Sequence, residues 1–287
     1  MNKVNNKILF GVTIPACPAI LTQLMDELGG SLVNSKKIAE LVCQDAGISA
    51  IVIRTANSPL HGSGRRIASI ADAIKTLGFS ALINLVREAL LQSSINSSNT
   101  TLDRFWDSSR YTAVAGKRLA SIIGRVDPNT AYTFGLFHDC GIPLLMQRYP
   151  EYKEVLREAN KNTDKIFTDV EEEAIGTSHA IIGYYLARAW GLSDAITQGI
   201  LNHHDYAQLG DPRNINSEAH RLIALGVMAE YIANTHLRSV QDAEWMRARE
   251  FVAICLGYVA TDLDDIVDDL IYQFDETLAQ HHEESEL

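Results

Sequence analysis

An adjacent histidine and aspartate, His138 and Asp139, stand in the apolar stretch FGLFHDCG at residues 134–141. Further histidines follow in similar surroundings, His179 in GTSHAIIG and the pair His203–His204 in GILNHHD. Imidazole nitrogens suit ions such as Fe, Mn, Zn, Ni or Co, and a carboxylate adds a hard oxygen ligand. A metal held by such groups polarises a phosphoryl oxygen and lowers the pKa of a bound water. These residue types therefore indicate a transition-metal site that could support phosphate-ester hydrolysis.

The same residues also fit a structural interpretation. Side chains at adjacent helical positions point roughly 100° apart, so His138 and Asp139 could reach one metal or two neighbouring metals. A histidine beside apolar residues is more often a hydrogen-bonded core or surface residue than a metal ligand. The pair would then form a buried, charge-assisted hydrogen-bond network that fixes helix packing. Spacing alone leaves both interpretations open.

The elements that must position these residues are predicted to be helices throughout. Apolar residues recur at i, i+3 and i+4 in segments such as IADAIKTLG and FSALINLVREALLQ. No sustained strand alternation occurs, and no Gly-rich phosphate-binding motif is present. TDVEEEAIG is predicted to be a short helix with Glu171–Glu173 near its positive end. The predicted N-caps are Asn34 or Ser35, Ser69, Asn129, Thr168 and Ser193.

A run of small polar residues, SSINSSNTT at 93–101, is typical of a loop or hinge. With 287 residues, one large or two modest domains are expected. The predicted organisation is a partly extended or loose lead-in (1–13), an N-terminal helical subdomain (14–98), a second helical subdomain (99–236), and acidic helices with a tail (237–287). The acidic run Asp262–Asp269 is a solvated helix face or a partner-binding surface.

Composition narrows the class of protein. Apolar residues make up 46% of the chain, and the formal net charge is −11, which disfavours a nucleic-acid partner. The N-terminus does not resemble a signal peptide, and no apolar run reaches about 18 residues, so no membrane span is expected. Four widely spaced cysteines are expected to be reduced and mostly buried, which indicates a cytoplasmic protein.

Several motifs, in order, resemble those of the HDOD domain. They are GLFHDCG, the G-x-x-H-A-x-x-G of GTSHAIIG, LARAWGLSDAI and ILNHHD, preceded by IPACPAILTQLMDEL, IAELVCQDAGISAIVIRTANS and SIADAIKTLG. The similarity runs from about Ile14 to about Ala233. The HDOD domain is a divergent relative of the HD-superfamily phosphohydrolases and of HD-GYP domains. The resemblance implies an all-α fold, with an N-terminal helical subdomain packed on an HD-like bundle, and a role in bacterial signalling without an established general enzymatic activity.

The resemblance also implies a set of metal ligands. The catalytic relatives use an upstream histidine, the His-Asp pair and a later aspartate, and HD-GYP relatives add histidines. Here the upstream position holds Ser108, a poor ligand, and the late position holds Glu230. The predicted metal-binding residues are therefore His138, Asp139, His179, His203, His204 and Glu230, with Asp139 as the catalytic candidate if the site is active.

Three functions are weighed from these observations. The first is a cytoplasmic regulatory module, non-catalytic or weakly catalytic, that acts by binding a signalling protein or a small-molecule ligand. The second is a phosphohydrolase of nucleotides or cyclic dinucleotides that uses Fe, Mn, Zn or Ni. The third, nucleic-acid binding through an N-terminal helix pair, is opposed by the charge. A weaker candidate, His61 with Arg65 and Arg66, is an anion site or simply a surface loop.

Overall fold

A computed structural model of the chain describes residues 7–30, 32–58, 67–95, 102–162, 164–211, 213, 217–238 and 243–285. Within these ranges it contains fourteen α-helices, one 3-10 helix and one two-stranded β-hairpin, so the all-α prediction is confirmed. The candidate anion site of His61, Arg65 and Arg66 lies outside the described residues, as does the part of the predicted hinge from 96 to 101.

The chain divides into two compact units. We call Pro15–Ser98 the N-terminal unit and Met1–Ile14 together with Asn99–Leu287 the histidine unit. The N-terminal unit contains α1 (Ala19–Leu28), α2 (Ser35–Cys43), α3 (Ala46–Ala56) and α4 (Ile70–Ile95).

The helix starts of the N-terminal unit follow the sequence closely. Asn34 Oδ1 accepts hydrogen bonds from the backbone N–H groups of Lys36 and Lys37 at 3.1 and 3.2 Å. Ser69 Oγ accepts one from Asp72 N at 3.1 Å. Both predicted caps are therefore confirmed, because each satisfies an otherwise unpaired donor of the first helical turn. Gly78, with φ 78° and ψ 165°, kinks α4 between the two predicted helical segments.

The histidine unit begins with a hairpin and continues as helices. Its elements are β1 (Lys7–Leu9), β2 (Val12–Ile14), α5 (Asp103–Ile123), α6 (Pro128–Phe137), α7 (Gly141–Arg148), α8 (Tyr152–Lys161), α9 (Phe167–Ile175), α10 (His179–Ala189), α11 (Asp194–Asn202), the 3-10 helix Tyr206–Gly210, α12 (Glu218–Arg238), α13 (Ala243–Leu256) and α14 (Ala260–Ser285).

Within the predicted lead-in, the described residues from Lys7 onward form a short antiparallel hairpin. Leu9 pairs with Val12, and the connecting Phe10 and Gly11 both have positive φ, of 51° and 73°. Two positive φ values give a two-residue turn whose twist matches that of paired strands. β2 contacts α7 and α10, and Tyr149 donates a hydrogen bond to the Phe10 carbonyl at 3.0 Å.

Two predicted caps near the site are wrong. Asp127, not Asn129, caps α6, because its Oδ1 accepts from the N–H groups of Asn129 and Thr130 at 3.0 and 2.9 Å. Thr168 does not cap α9, because that helix already begins at Phe167 and has no side-chain cap. The predicted Ser193 cap of α11 is confirmed by a 3.4 Å hydrogen bond from Ile196 N.

Close approaches between helices define the surroundings of the His-Asp pair. A Cβ on Gly141, at the start of α7, would lie 2.1 Å from the His179 carbonyl oxygen at the start of α10. A Cβ on Gly226 of α12 would lie 2.5 Å from the Phe134 ring of α6. Real side chains do not tolerate such distances, so glycine is required at both positions. These contacts place α7 directly against α10 and α6 directly against α12.

The C-terminal part of the chain is helical over most of its length. α14 continues through the residues predicted to form a tail and ends at Ser285. Among the described helices, none combines the length and apolar character needed to cross a lipid bilayer. All four cysteines are free; Cys140 and Cys255 are buried, whereas Cys43 is exposed.

Candidate metal centre

The candidate ligands lie at the ends of helices. His138 directly follows α6, and Asp139 lies in the turn between α6 and α7. His179 is the first residue of α10, and the pair His203–His204 directly follows α11. Helix ends have backbone groups without an intrahelical partner, so they can anchor nearby side chains. The remaining predicted ligand, Glu230, lies within α12.

Two of the histidines are anchored by backbone carbonyls. His138 Nδ1 lies 2.8 Å from the Gly135 carbonyl oxygen, and His203 Nδ1 lies 2.7 Å from that of Ile200. Both carbonyls belong to the last turn of the preceding helix, where no helical N–H is available to them. A carbonyl oxygen only accepts, so Nδ1 must carry the proton in each ring. Each neutral imidazole therefore presents a lone pair at Nε2.

A third histidine is anchored by a buried carboxylate. His179 Nδ1 lies 2.7 Å from Glu171 Oε2, and Tyr152 donates its hydroxyl hydrogen to Glu171 Oε1. All three residues are fully buried. The sequence interpretation placed Glu171 near the positive N-terminus of a short helix and so missed this role. A signal was present, because Phe167 precedes Glu171 by four residues and Ile175 follows it by four, which puts Glu171 on the apolar face of α9.

The fourth histidine is anchored by a carboxylate from α13. His204 Nδ1 lies 3.2 Å from Glu244 Oε1 and 3.4 Å from the Tyr206 hydroxyl oxygen. Phe167 stacks on the imidazole, with ring centroids 4.9 Å apart and an interplanar angle of 7°. The sequence interpretation also missed Glu244 and Phe167. For Glu244 no local pattern could have found the contact, since forty residues separate it from His204.

With every Nδ1 engaged, the Nε2 atoms of three histidines converge. His179 Nε2 lies 3.1 Å from that of His203 and 3.2 Å from that of His204. Asp139 Oδ1 lies 3.3 Å from His179 Nε2 and 3.4 Å from His203 Nε2. On the other side of the carboxylate, Asp139 Oδ2 lies 3.3 Å from His138 Nε2. The Asp139 carboxylate thus stands between two groups of possible ligand atoms.

These donor atoms fit a metal ion. One group is Asp139, His179, His203 and His204, and the other is His138, Asp139 and Glu230; within each, the ligand atoms lie within 4.8 Å of one another. His138 Nε2 is buried and has no hydrogen-bond partner among the described residues, despite its proximity to Asp139. This nitrogen carries the added proton when His138 is charged; in the neutral ring its lone pair lacks a donor, which is costly unless a cation occupies the space before it. Imidazole and carboxylate donors suit Fe, Mn, Zn or Ni and do not select one of them.

The pKa values of the clustered histidines depend on burial and on the carboxylates beside them. Burial opposes charging of His138, but Asp139 and Glu230 raise its pKa to about 9. Burial likewise opposes charging of His179, whose pKa Glu171 and Asp139 raise to about 10. Burial, reinforced by His204, lowers the pKa of His203 to about 3. Burial disfavours the Asp139 carboxylate, yet the neighbouring histidines hold its pKa well below the usual range. Protons on His138 and His179 therefore balance the buried carboxylates, and a cation would replace those protons.

A cavity of about 590 Å³ opens beside the ligands. His138, Asp139, His179, His204 and Glu230 line it together with apolar side chains that include Phe105, Met146 and Phe167.

Two exposed arginines, Arg104 and Arg247, also line the cavity where it reaches solvent. Ser108 lines the cavity too, beside Ser109. Helix α5, which carries both serines, contains no histidine. The position at which the resemblance led us to expect a further imidazole therefore offers only hydroxyl groups.

Comparisons with known proteins bear on the family and the fold. The family model of the HDOD domain matches residues 14–206. A solved HDOD domain protein of unknown function from Geobacter sulfurreducens is similar, with 25% identity, a TM-score of 0.68 and 92% of each chain covered. A solved protein from Shewanella amazonensis SB2B, provisionally named a phosphohydrolase, has 23% identity and a TM-score of 0.67, with 89% of this chain and 90% of that chain covered.

A relative from Treponema pallidum (strain Nichols), itself uncharacterised, is 26% identical over 195 residues. The match covers 67% of this chain but only 38% of that protein, so the relative is much longer than the region they share.

Proposed function

This chain belongs to the HDOD family, and we propose that it is a regulatory module of signal transduction whose histidine unit holds a transition metal. The observation that carries the proposal is the arrangement of the four imidazoles. Each Nδ1 is engaged by a carbonyl or a carboxylate, and three Nε2 atoms converge with the Asp139 carboxylate. Anchoring the outer nitrogen in this way is how proteins orient metal-binding histidines.

The two groups of ligand atoms have distinct roles in this proposal. Asp139, His179, His203 and His204 would hold the metal, and His138 with Glu230 would hold a second ion or a water beside it. When bound, the metal supplies a Lewis acid that polarises an anionic ligand. The protein's own contribution is orientation, because Glu171 fixes the ring of His179 from a position without access to water.

Regulation rather than turnover is favoured by the composition of helix α5. Ser108 and Ser109 provide hydroxyl groups at the cavity wall, so this side of the site lacks an imidazole to complete a second strong set of ligands. The cavity has room for a small molecule, and Arg104 and Arg247 favour an anionic one. We further propose a cytoplasmic location and a signalling protein as the partner that reads the state of the site.

Thermal unfolding with and without metal tests the proposal. The chain is stripped with a chelator, and Mn²⁺, Fe²⁺, Zn²⁺ or Ni²⁺ is then added singly to the wild type and to Asp139→Ala. Selective binding to the folded state raises the Tm of the wild type by an amount that grows with metal concentration. The Asp139→Ala variant is expected to show little increase. Equal shifts in both proteins, or none in either, would contradict the proposed site.

The second candidate function is metal-dependent phosphohydrolysis. The favouring observation is the cavity of about 590 Å³, which lies beside the ligands and has arginines at its exposed edge. Such an edge can bind phosphate, and the Shewanella amazonensis protein's name points to the same chemistry. A screen of nucleotides and phosphodiesters with metal-loaded protein separates the two functions. Turnover that disappears in Asp139→Ala would establish the enzyme; absence of turnover in protein with stoichiometric metal favours the regulatory module.

A further inference from the structure

We propose that helix α13, which lies beyond the family-matched residues 14–206, completes the metal centre, with Glu244 as the positioning residue for His204. The inference rests on the proposed metal site and adds to it an element that the family match does not include. It makes the C-terminal helices part of the functional site rather than an appendage.

The contact between Glu244 and His204 has the geometry of an anchor. Glu244 Oε1 lies 3.2 Å from His204 Nδ1, on the side of the ring opposite to the converging Nε2 atoms. The Glu244 and His204 side chains are 18% and 7% exposed, so the imidazole is buried while the carboxylate keeps some contact with solvent. A carboxylate that accepts from Nδ1–H fixes the tautomer and the ring orientation and makes Nε2 a more basic ligand.

The start of α13 is itself held in place. Trp245, the neighbour of Glu244, is 3% exposed and stacks on Tyr231 of α12 with centroids 5.7 Å apart and an angle of 15°. One helical turn beyond Arg247, Phe251 packs so closely on Gly210 that a Cβ there would lie 3.0 Å from the ring. Gly210 ends the 3-10 helix that follows His203–His204. The helix is therefore packed against the same segment that carries the ligand, and the position of Glu244 does not depend on its own contact alone.

The parallel with His179 supports the assignment. In that case Glu171, which lies inside the family-matched residues, accepts from Nδ1 at 2.7 Å. His204 likewise turns its Nε2 toward the converging nitrogens, 3.2 Å from that of His179, but its carboxylate comes from α13. The site thus uses the same device twice, once from within the family-matched region and once from outside it.

A Co²⁺ titration of the full chain, followed by visible absorption, tests the inference. Wild type is compared with Glu244→Gln and with Glu250→Gln as a matched control. Glu250 lies on the same helix, its side chain is 73% exposed, and it contacts Arg249 at 3.8 Å. Loss of the anchoring charge is expected to weaken Co²⁺ binding about 10–100-fold, the usual range for the partners of metal-binding histidines. The Glu250→Gln variant is expected to bind as the wild type does.

A double-mutant cycle separates positioning from a general structural role. Glu244→Gln is repeated in a His204→Asn background, where no imidazole remains to be oriented, so the substitution is expected to have no further effect on Co²⁺ affinity. Wild-type affinity in Glu244→Gln, or the same fold-loss in both backgrounds, would overturn the role of Glu244. Failure of the wild type itself to bind Co²⁺ would instead overturn the proposed metal centre.

Discussion

The two carboxylates that anchor the ligand histidines lie in contrasting surroundings. Glu171 is fully buried, holds His179 at 2.7 Å and is itself held by the Tyr152 hydroxyl. Glu244 is partly exposed, contacts His204 at 3.2 Å, and its Oε1 also lies 3.8 Å from Arg247 at the cavity edge. We refer to these as the closed side and the open side of the site.

The difference in surroundings indicates that a carboxylate that anchors a histidine can contribute mainly to folding or mainly to metal binding. On the closed side, three buried polar groups must satisfy one another, because none reaches water, and removing any one leaves a charge or a dipole unpaired. On the open side, solvent and Arg247 compete for the carboxylate, so a change there costs less stability. We therefore expect the closed side to dominate folding and the open side to tune the metal and its ligand.

The largest expected effect is the pH dependence of the metal-free protein. The pKa values of His138 and His179, about 9 and about 10, lie above the ordinary value of 6.5. Their stabilisation is thus fully present below pH 6.5 and is lost as the pH rises through 9 and 10. Each contribution is on the order of 3–5 kcal/mol.

Urea unfolding at a series of pH values measures this loss. The metal-loaded protein is the control, since its imidazoles carry no proton to lose and all other groups titrate as before. Parallel pH profiles with and without metal would show that protons do not hold the metal-free cluster together.

Glu171→Ala tests the closed side directly. It leaves His179 buried without its anion, so the free energy of unfolding is expected to fall by about 3–5 kcal/mol. The matched control is Glu173→Ala in the same run of three glutamates. Glu173 is 63% exposed and forms a surface ion pair with Lys165, so a loss below about 1 kcal/mol is expected. Both losses are measured by urea unfolding in the presence of chelator. Equal losses would show that Glu171 contributes no more to stability than a surface charge.

Tyr152→Phe tests whether the Tyr152 hydroxyl, as well as the Glu171 carboxylate, stabilises the closed side. It removes one hydroxyl from a buried charged acceptor, and the expected loss of unfolding free energy is about 1.5–3 kcal/mol. Tyr184→Phe is the control, because that hydroxyl accepts a hydrogen bond from Arg188 at 3.0 Å on the surface. The control is expected to change stability by less than about 0.5 kcal/mol. A neutral Tyr152→Phe would show that Glu171 is held without the hydroxyl.

Glu244→Gln carries the smallest expected effect on folding. The amide oxygen can still accept from His204 Nδ1, and the site is partly hydrated, so the metal-free protein is expected to lose about 1 kcal/mol or less. The measurement is urea unfolding with chelator, beside Glu171→Gln. If Glu244→Gln lowered the free energy of unfolding more than Glu171→Gln does, the assignment of Glu171 to the closed side and Glu244 to the open side would be wrong.

The sequence was sufficient for the features that depend on local chemistry. The helical period gave an all-α fold, and the caps at Asn34, Ser69 and Ser193 follow from donors two or three residues away. The segment containing His138 and Asp139 was identified because its residue types are unusual in an apolar helix. The assignment of the metal ligands themselves stays a prediction.

The anchors were not predicted because burial is decided by tertiary packing. Glu171, Glu172 and Glu173 are identical in the sequence, yet only Glu171 turns inward, by virtue of its angular position on α9. Glu244 meets His204 only after α13 packs on the segment that follows α11. The N-cap predictions at Asn129 and Thr168 failed for a local reason. Each helix begins one or two residues earlier than the position of that amide or hydroxyl side chain suggested.

The most direct test is the metal content of the full chain purified without chelator, measured by inductively coupled plasma mass spectrometry. The wild type is compared with Asp139→Asn, which keeps the size of the side chain but removes the charge shared by both groups of ligands. The converging imidazoles and the Asp139 carboxylate predict stoichiometric transition metal in the wild type and a large loss in the variant. Wild-type protein with no more metal than Asp139→Asn would contradict the metal centre on which the regulatory function depends.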